Sequence, residues 1–494
     1  MIEIDGTLTI EEVTAVARDG ERVELADDAR DRLAASRKTV EDIVASKKRV
    51  YGVNTGYGNL KDIAVDADAL EQQQRNLLRS HAVAVGDPYS TDTVRAMLVV
   101  RANALALGRS GVRPLLVDRL IDMLNEGVHP VIRSRGNTDN ACALAPVGLV
   151  LIGEGEATVD GERVSGDEAL AAAGLDPIEI APREGLAIIS GTTEMTALSA
   201  LSIDDLRSLV IAADIAGAWT MSLVGKEPGA FDERVTDARP FGGHAESAAT
   251  VRSLLPESVG SGEDMSQDPL SIRCLPQVHG TLREYLDTAR DIVETELTSA
   301  TGNPLIFPDG TTLSCGNFNG QHVAGIADLL SLTAAKVAHA CERRAGVLLD
   351  AWEKLPAHLA TDPGLESGMS RVHYAAASLA TDAASVGTAS ERSFVASSGQ
   401  EDLHASGVIA ANKLTEVVIL VSRVVAAELL CAARASQLGS SNLSEPLLAV
   451  LNLLETRVGL PLEDAVWDHR LESVGDLLLD GEIEATVADA GADL

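Results

Sequence analysis

Residues Gly407 to Gln437 read GVIAANKLTEVVILVSRVVAAELLCAARASQ, a run of about 30 residues with no proline and no glycine after the first position. Apolar side chains cover most of the circumference of a helix drawn through it, and such a helix belongs inside a bundle or at a subunit interface. Met195 to Val224 and Gln321 to Leu349 read the same way. These three stretches predict a mainly α fold built on long helices too apolar to face water. The best membrane candidate within them, Val417 to Leu430, is interrupted by Arg423 and Glu428. It is also shorter than the roughly 20 apolar residues a bilayer requires, so no membrane span is expected.

Around the long helices, proline and glycine gather in Gly225 to Gly243, Leu255 to Gln277, Gly302 to Asn319 and Ala396 to Gly407. Such loops can bring distant polar residues together, and chemistry often sits on them. Upstream, Asp27 to Ser46 is a charged helical stretch, and Thr91 to Asn125 carries helical spacing broken at Gly108 and Gly111. Two helices are predicted there, and a strand pair around Glu156 to Val164 with Asp160-Gly161 as its turn. The expected division is a smaller mixed N-terminal part, residues 1–190, and a long-helix bundle with a C-terminal helical part, residues 191–494. There is no internal repeat at a fixed period.

Acidic residues outnumber basic ones by 74 to 40 in the 494-residue chain, a formal charge of −34. That charge argues against nucleic-acid and anionic-membrane partners. With few aromatics (3%) it suits a halophilic cytoplasm, where salt screens self-repulsion. The five cysteines (Cys142, Cys274, Cys315, Cys341, Cys431) lack metal-ligand or disulfide-framework spacing, and no HxxxH or HExxH pattern supports a metal. The opening MIEIDGTLTIEEVTAVARDG is acidic, unlike a secretory signal, so a cytoplasmic location is expected.

Seven short segments carry chemistry-bearing residues in order along the chain: Tyr51-Gly52-Val53-Asn54-Thr55-Gly56-Tyr57-Gly58; Gln74 to His81 (QRNLLRSH); Ser134-Arg135-Gly136 with Leu144-Ala145-Pro146 and Leu149 to Glu156; Arg183 to Ala187; Gln267-Asp268-Pro269 with Ser271 to Cys274; Gly316-Asn317-Phe318; and Gln400-Glu401-Asp402. Together they resemble the histidine/phenylalanine (aromatic amino acid) ammonia-lyase family, nearest to its histidine-specific members. Their counterparts there are YG(V/I)NTGFG, the selectivity segment, the borders of the cofactor triad, KEGLAL, QDPYSLRC, GGNFHG and NQED. The resemblance implies a mainly α fold, a long antiparallel helical bundle of the aspartase/fumarase-like lyase type, together with a homotetramer with sites shared between subunits and a small amino-acid substrate.

It also implies an electrophile, methylidene-imidazolone, made from an Ala-Ser-Gly backbone. The middle residue must lose a β substituent, and the third must allow close backbone approach, as glycine does. Here the chain departs from the pattern. Ungapped alignment from Ser134 to Pro146 places Asn140-Ala141-Cys142 on the triad, and alanine has nothing to eliminate. Shifting by one offers Ala141-Cys142-Ala143, in which cysteine could lose its sulfur while Ala143 crowds the cyclisation. Ser190 stands in place of the family's asparagine and Leu270 in place of the tyrosine of QDPYS. The serine that normally supplies the cofactor is therefore absent.

The substrate-holding positions are kept by this resemblance. Tyr51 would move the β-proton, and Arg273 would hold the α-carboxylate with its guanidinium fork. Asn303 and Gln267 would give polar support, with Phe318 also at the substrate. Ser80-His81 and Glu401 match the histidine type, since both His81 and Glu401 can hydrogen-bond an imidazole. The expected function is ammonia elimination from an aromatic amino acid, L-histidine to urocanate first. Two alternatives remain at this point: different chemistry on a histidine-like amino acid, or a ligand-binding paralogue without turnover.

Overall fold

Element ends follow local sequence chemistry. Thr9 opens the Ile10–Ala17 helix by accepting from the Glu12 N–H at 3.2 Å, while the Glu12 carboxylate accepts the Thr9 N–H at 3.0 Å. This reciprocal cap satisfies two donors the first turn leaves free. Thr91–Ala106 and Pro114–Asn125 are two helices, parted where Gly108 (φ +67°) and Gly111 (φ +69°) take left-handed backbone. Glu156–Val159 pairs with Glu162–Ser165 through Asp160 (φ +50°) and Gly161 (φ +81°), the two positive angles a tight hairpin turn requires. Both predicted features are present.

The structure is a computed structural model that describes residues 1–137, 143–225, 228–256, 259, 267–351, 355–439 and 442–493. Helices make up 62% of it. The three apolar runs form helices Thr193–Val224, Gln321–Leu349 and Gly407–Leu438, joined by a fourth, Leu275–Leu297. Packing groups the chain into two units, each drawn from three segments.

The first unit comprises Met1–Leu201, Arg290–Asp328 and Thr388–Asn412. It holds the short strands found among the described residues, including a parallel pair, Ile2–Ile4 with Val23–Leu25, and an antiparallel pair, Leu305–Ile306 with Thr312–Leu313. Val50 and Val53 are buried against Val40, Ile43 and Ile306. Burying each valine contributes about 1.5–3 kcal/mol, and these two flank Tyr51, so the loop between them is fixed from below.

The second unit comprises Ser202–Ala289, Leu329–Gly387 and Lys413–Leu494. Within it the Asp214 carboxylate meets His279 at 2.7 Å, setting the Leu275–Leu297 helix against Thr193–Val224 in the antiparallel order expected. Gly407–Leu438 instead runs in the same direction as Thr193–Val224, since Ser202 meets Thr415 and Trp219 donates to Ser436. Only a short connection forces neighbouring helices to reverse, and the chain between these two is long. Arg344 forks onto Glu428 at 2.7 and 2.9 Å, and Thr220 donates to the same carboxylate at 2.8 Å, all without exposure.

Among the described residues, two helical runs, Glu184–Val224 and Gln321–Leu349, are long and apolar enough to cross a membrane. Neither is the 417–430 stretch singled out above. Their apolar windows are 94% and 67% buried by protein, which is how core helices of a bundle are covered.

Candidate active site

The loop after Val50 is tied by its own side chains. Asn54 accepts from the Val50 N–H at 2.8 Å and donates to the Lys48 carbonyl at 2.9 Å, closing the turn that carries Tyr51. Gly52 (φ +73°) lets the backbone approach Leu186 and Pro304, where a Cβ would lie 2.9 and 3.0 Å from their side chains. Gly58 (φ +55°) donates its N–H to the Tyr51 hydroxyl at 3.5 Å. A Cβ there would stand 2.3 Å from Ser397 Oγ and 3.5 Å from Glu401 Oε1, so only glycine admits the 397–401 turn beside the tyrosine.

The helix Leu70–His81 ends at the same place. His81 Nδ1 lies 2.8 Å from the Leu77 carbonyl, which accepts only, so the neutral ring carries its proton on Nδ1 and leaves Nε2 as an acceptor. Ser80 turns the other way, donating to Leu77 at 3.0 Å and touching His81 Nδ1 at 3.1 Å. It orients His81 and does not line the cavity.

These residues open onto a cavity of about 530 Å³. Tyr51, His81, Ser190, Asn303, Phe318 and Glu401 all line it, brought from separate parts of the first unit. The Asn303 side-chain carbonyl accepts from Cys315 N at 2.9 Å, and its backbone carbonyl accepts from Arg183 at 3.0 Å. Ser190 is 5% exposed, its carbonyl held by Arg101 at 2.6 Å. Gln267 and Arg273 belong to the second unit. Arg273 ends the short helix Leu270–Arg273, and its buried Nε has no hydrogen-bond partner among the described residues. Asn140, Ala141 and Cys142 lie outside the described residues, and Ala143 is buried at 6% just before the helix Ala145–Leu151.

Several lining residues were not singled out in the sequence. Tyr57, Lys61, Asp62, Ser314, Cys315 and Gln400 are the polar ones. Tyr57 lies inside the quoted signature and Cys315 directly before Gly316-Asn317-Phe318, so adjacency was the signal available. Burial pushes Tyr57 up to about 12, although the Gln74 hydrogen bond and the Arg183 charge pull the other way. Arg183 itself is fully buried and bonded to the carbonyls of Ser110, Asn303 and Pro304, with no carboxylate partner among the described residues. Burial lowers it to about 10.

Residues 8–456 match the model of the aromatic amino acid lyase family. The chain is 40% identical over 496 residues to a histidine ammonia-lyase of Symbiobacterium thermophilum, covering 98% of each. It is 41% identical to one from Geobacillus thermodenitrificans, covering 88% of each. Among solved structures, the histidine ammonia-lyase of Trypanosoma cruzi superimposes with a TM-score of 0.92 at 32% identity, covering 99% of this chain and 95% of that one. A tyrosine aminomutase of Streptomyces globisporus does so with 0.94 at 30%, covering 100% and 99%. Five of the seven motifs line one cavity, the fold is that of these enzymes and the match runs nearly end to end: the chain belongs to the aromatic amino acid lyase family.

Proposed function

We propose that this protein eliminates ammonia from L-histidine and releases urocanate. The observation that carries the reading is the convergence of Tyr51, His81, Asn303, Phe318 and Glu401 on one cavity whose free polar groups suit an imidazole. Relatives named histidine ammonia-lyase, 38–41% identical to the chain, support the same substrate.

In this mechanism the Tyr51 oxygen, placed by the Gly58 N–H and acting as phenolate after giving its own proton to solvent, takes a proton from the β-carbon. The electron pair of that C–H bond becomes the Cα–Cβ double bond, and the C–N pair leaves with the nitrogen of the α-ammonium group, which departs as ammonia. By the family's pattern, with sites shared between subunits, Arg273 takes the α-carboxylate through its guanidinium fork and Gln267 supports it. His81 and Glu401 accept N–H groups of the ligand.

The family's methylidene-imidazolone supplies an electrophile when present. The residues here do not fit the ordinary serine-derived group: Ala141 has no leaving group, Cys142 would have to lose sulfur, and buried Ala143 adds a methyl where cyclisation needs glycine. Intact mass reads the question directly, since loss of two waters, or of hydrogen sulfide and one water, marks a modified segment.

The reading extends to a cytoplasmic homotetramer with sites shared between subunits, adapted to high salt by its charge of −34. Light scattering at molar salt tests the assembly. For the activity, urocanate absorbance is followed with L-histidine. Wild type should form product, and Tyr51→Phe should lose about 10²–10⁴-fold in kcat with histidine still bound. A wild-type protein that neither binds nor converts histidine would refute the assignment.

A further inference from the structure

Tyr57 occupies the position at which the family signature quoted above has phenylalanine, and its hydroxyl faces a defined environment. Gln74 Nε2 donates to the Tyr57 oxygen at 2.7 Å. Gln74 has no exposure, and its Oε1 receives the Leu186 N–H at 3.4 Å, which fixes which end of the amide faces the phenol. The oxygen's acceptor role is thus taken, and no described residue accepts the Tyr57 proton. Burial holds that proton on near neutral pH. The result is a hydrogen-bond donor at the cavity without a protein partner.

Two of the neighbouring polar groups accept: the Glu401 carboxylate, bonded to no described side chain, and His81, whose Nδ1 faces the Leu77 carbonyl so that Nε2 is the ring atom left for the cavity. The Tyr51 hydroxyl, which accepts from Gly58, is engaged at the β-carbon in the proposed reaction. Lys61 is exposed and held by Gln400. Asp62 is exposed and acceptor-only. A neutral imidazole brings one N–H and one bare nitrogen, so the acceptors satisfy the first and something must donate to the second.

We propose that Tyr57 is a specificity-determining residue whose hydroxyl donates to the bare ring nitrogen of the substrate imidazole, while Glu401 takes the ring N–H and Gln74 acts as the positioning residue for the phenol. This rests on the histidine reading and deepens it. A site built to pair a ring nitrogen rejects rings without one, because its own donor is then left buried and unpaired.

Tyr57→Phe tests the assignment with the residue the family signature carries, so the fold should be kept. Titration calorimetry and kinetics are run with L-histidine and with L-3-thienylalanine, a ring of similar size without a nitrogen acceptor. Tyr57→Phe should weaken histidine binding and raise KM about five- to ten-fold with little change in kcat. The preference for histidine over the thienyl analogue should shrink by the same factor. Gln74→Met, which frees the phenol to rotate, should move both quantities in the same direction by less. Unchanged histidine affinity and preference in Tyr57→Phe, or an equal fall in kcat for both ligands, overturns the role of Tyr57 while the histidine reading stands. Wild-type protein that fails to bind histidine overturns both.

Discussion

At Gly58 a single hydrogen in place of a side chain decides the geometry of the cavity. The residue combines φ +55° with a backbone that donates to Tyr51 and abuts the turn carrying Glu401. Gly58→Ala would cost about 1–2 kcal/mol for the left-handed backbone alone and would also displace Ser397. The expected result is a lower thermal midpoint, together with a larger loss in kcat/KM than the stability change explains. A variant with full activity would mean that the 397–401 turn does not depend on this contact. Tyr51, His81 and Glu401 were legible at this scale because each sits in a motif. The role of Tyr57, in the same signature, was not, because a hydroxyl on an aromatic ring acquires meaning only once Gln74, seventeen residues on and inside the helix Leu70–His81, is seen to donate to it.

The helices of the second unit are pinned by buried ions rather than by apolar packing alone. Arg344 and Glu428 have no exposure and form a two-bonded pair, with Thr220 on the same carboxylate. Removing one partner strands a charge, so Arg344→Met or Glu428→Gln should destabilise by about 3–5 kcal/mol in denaturant titrations. Arg344→Met combined with Glu428→Leu should recover most of that loss. Equal destabilisation in the double variant would mean that the pair's hydrogen bonds matter beyond its charge.

The neighbouring His279 and Asp214 give the same element a pH dependence. Burial holds His279 below its ordinary 6.5, only partly offset by Asp214. For Asp214 burial acts upward, but the hydrogen bonds and charges of His279 and Arg283 outweigh it and hold the carboxyl below 3.8. Both folded values lie below the unfolded ones, so the unfolded chain binds more protons and stability falls as pH drops. His279 contributes fully above 6.5 and its contribution is lost below that; Asp214 follows below 3.8. Denaturation midpoints at about pH 5 should lie below those at about pH 7.5, and less so in His279→Gln. Identical slopes in the two proteins would assign the acid sensitivity to other groups.

Over the whole molecule the excess of acidic side chains, 74 against 40 basic, sets self-repulsion that salt screens within about 3 Å at molar ionic strength. The thermal midpoint should therefore rise steadily from low to molar potassium chloride. A midpoint insensitive to salt would argue against the halophilic assignment. The helical class, the boundaries of Asp27–Ser46 and Gln321–Leu349, and the 160–161 turn could all be read from sequence, because periodicity and turn chemistry act over a few residues. The family was also legible, since motif residues keep their order whatever the packing does. Tertiary structure alone decided that Ser80 orients His81 instead of facing the cavity, that Gly407–Leu438 runs parallel to Thr193–Val224, and that Gln74 makes Tyr57 a donor. The helix direction depends on which surfaces meet across more than two hundred residues. The two side-chain outcomes depend on the rotamers that the folded surroundings select, and no local pattern encodes either.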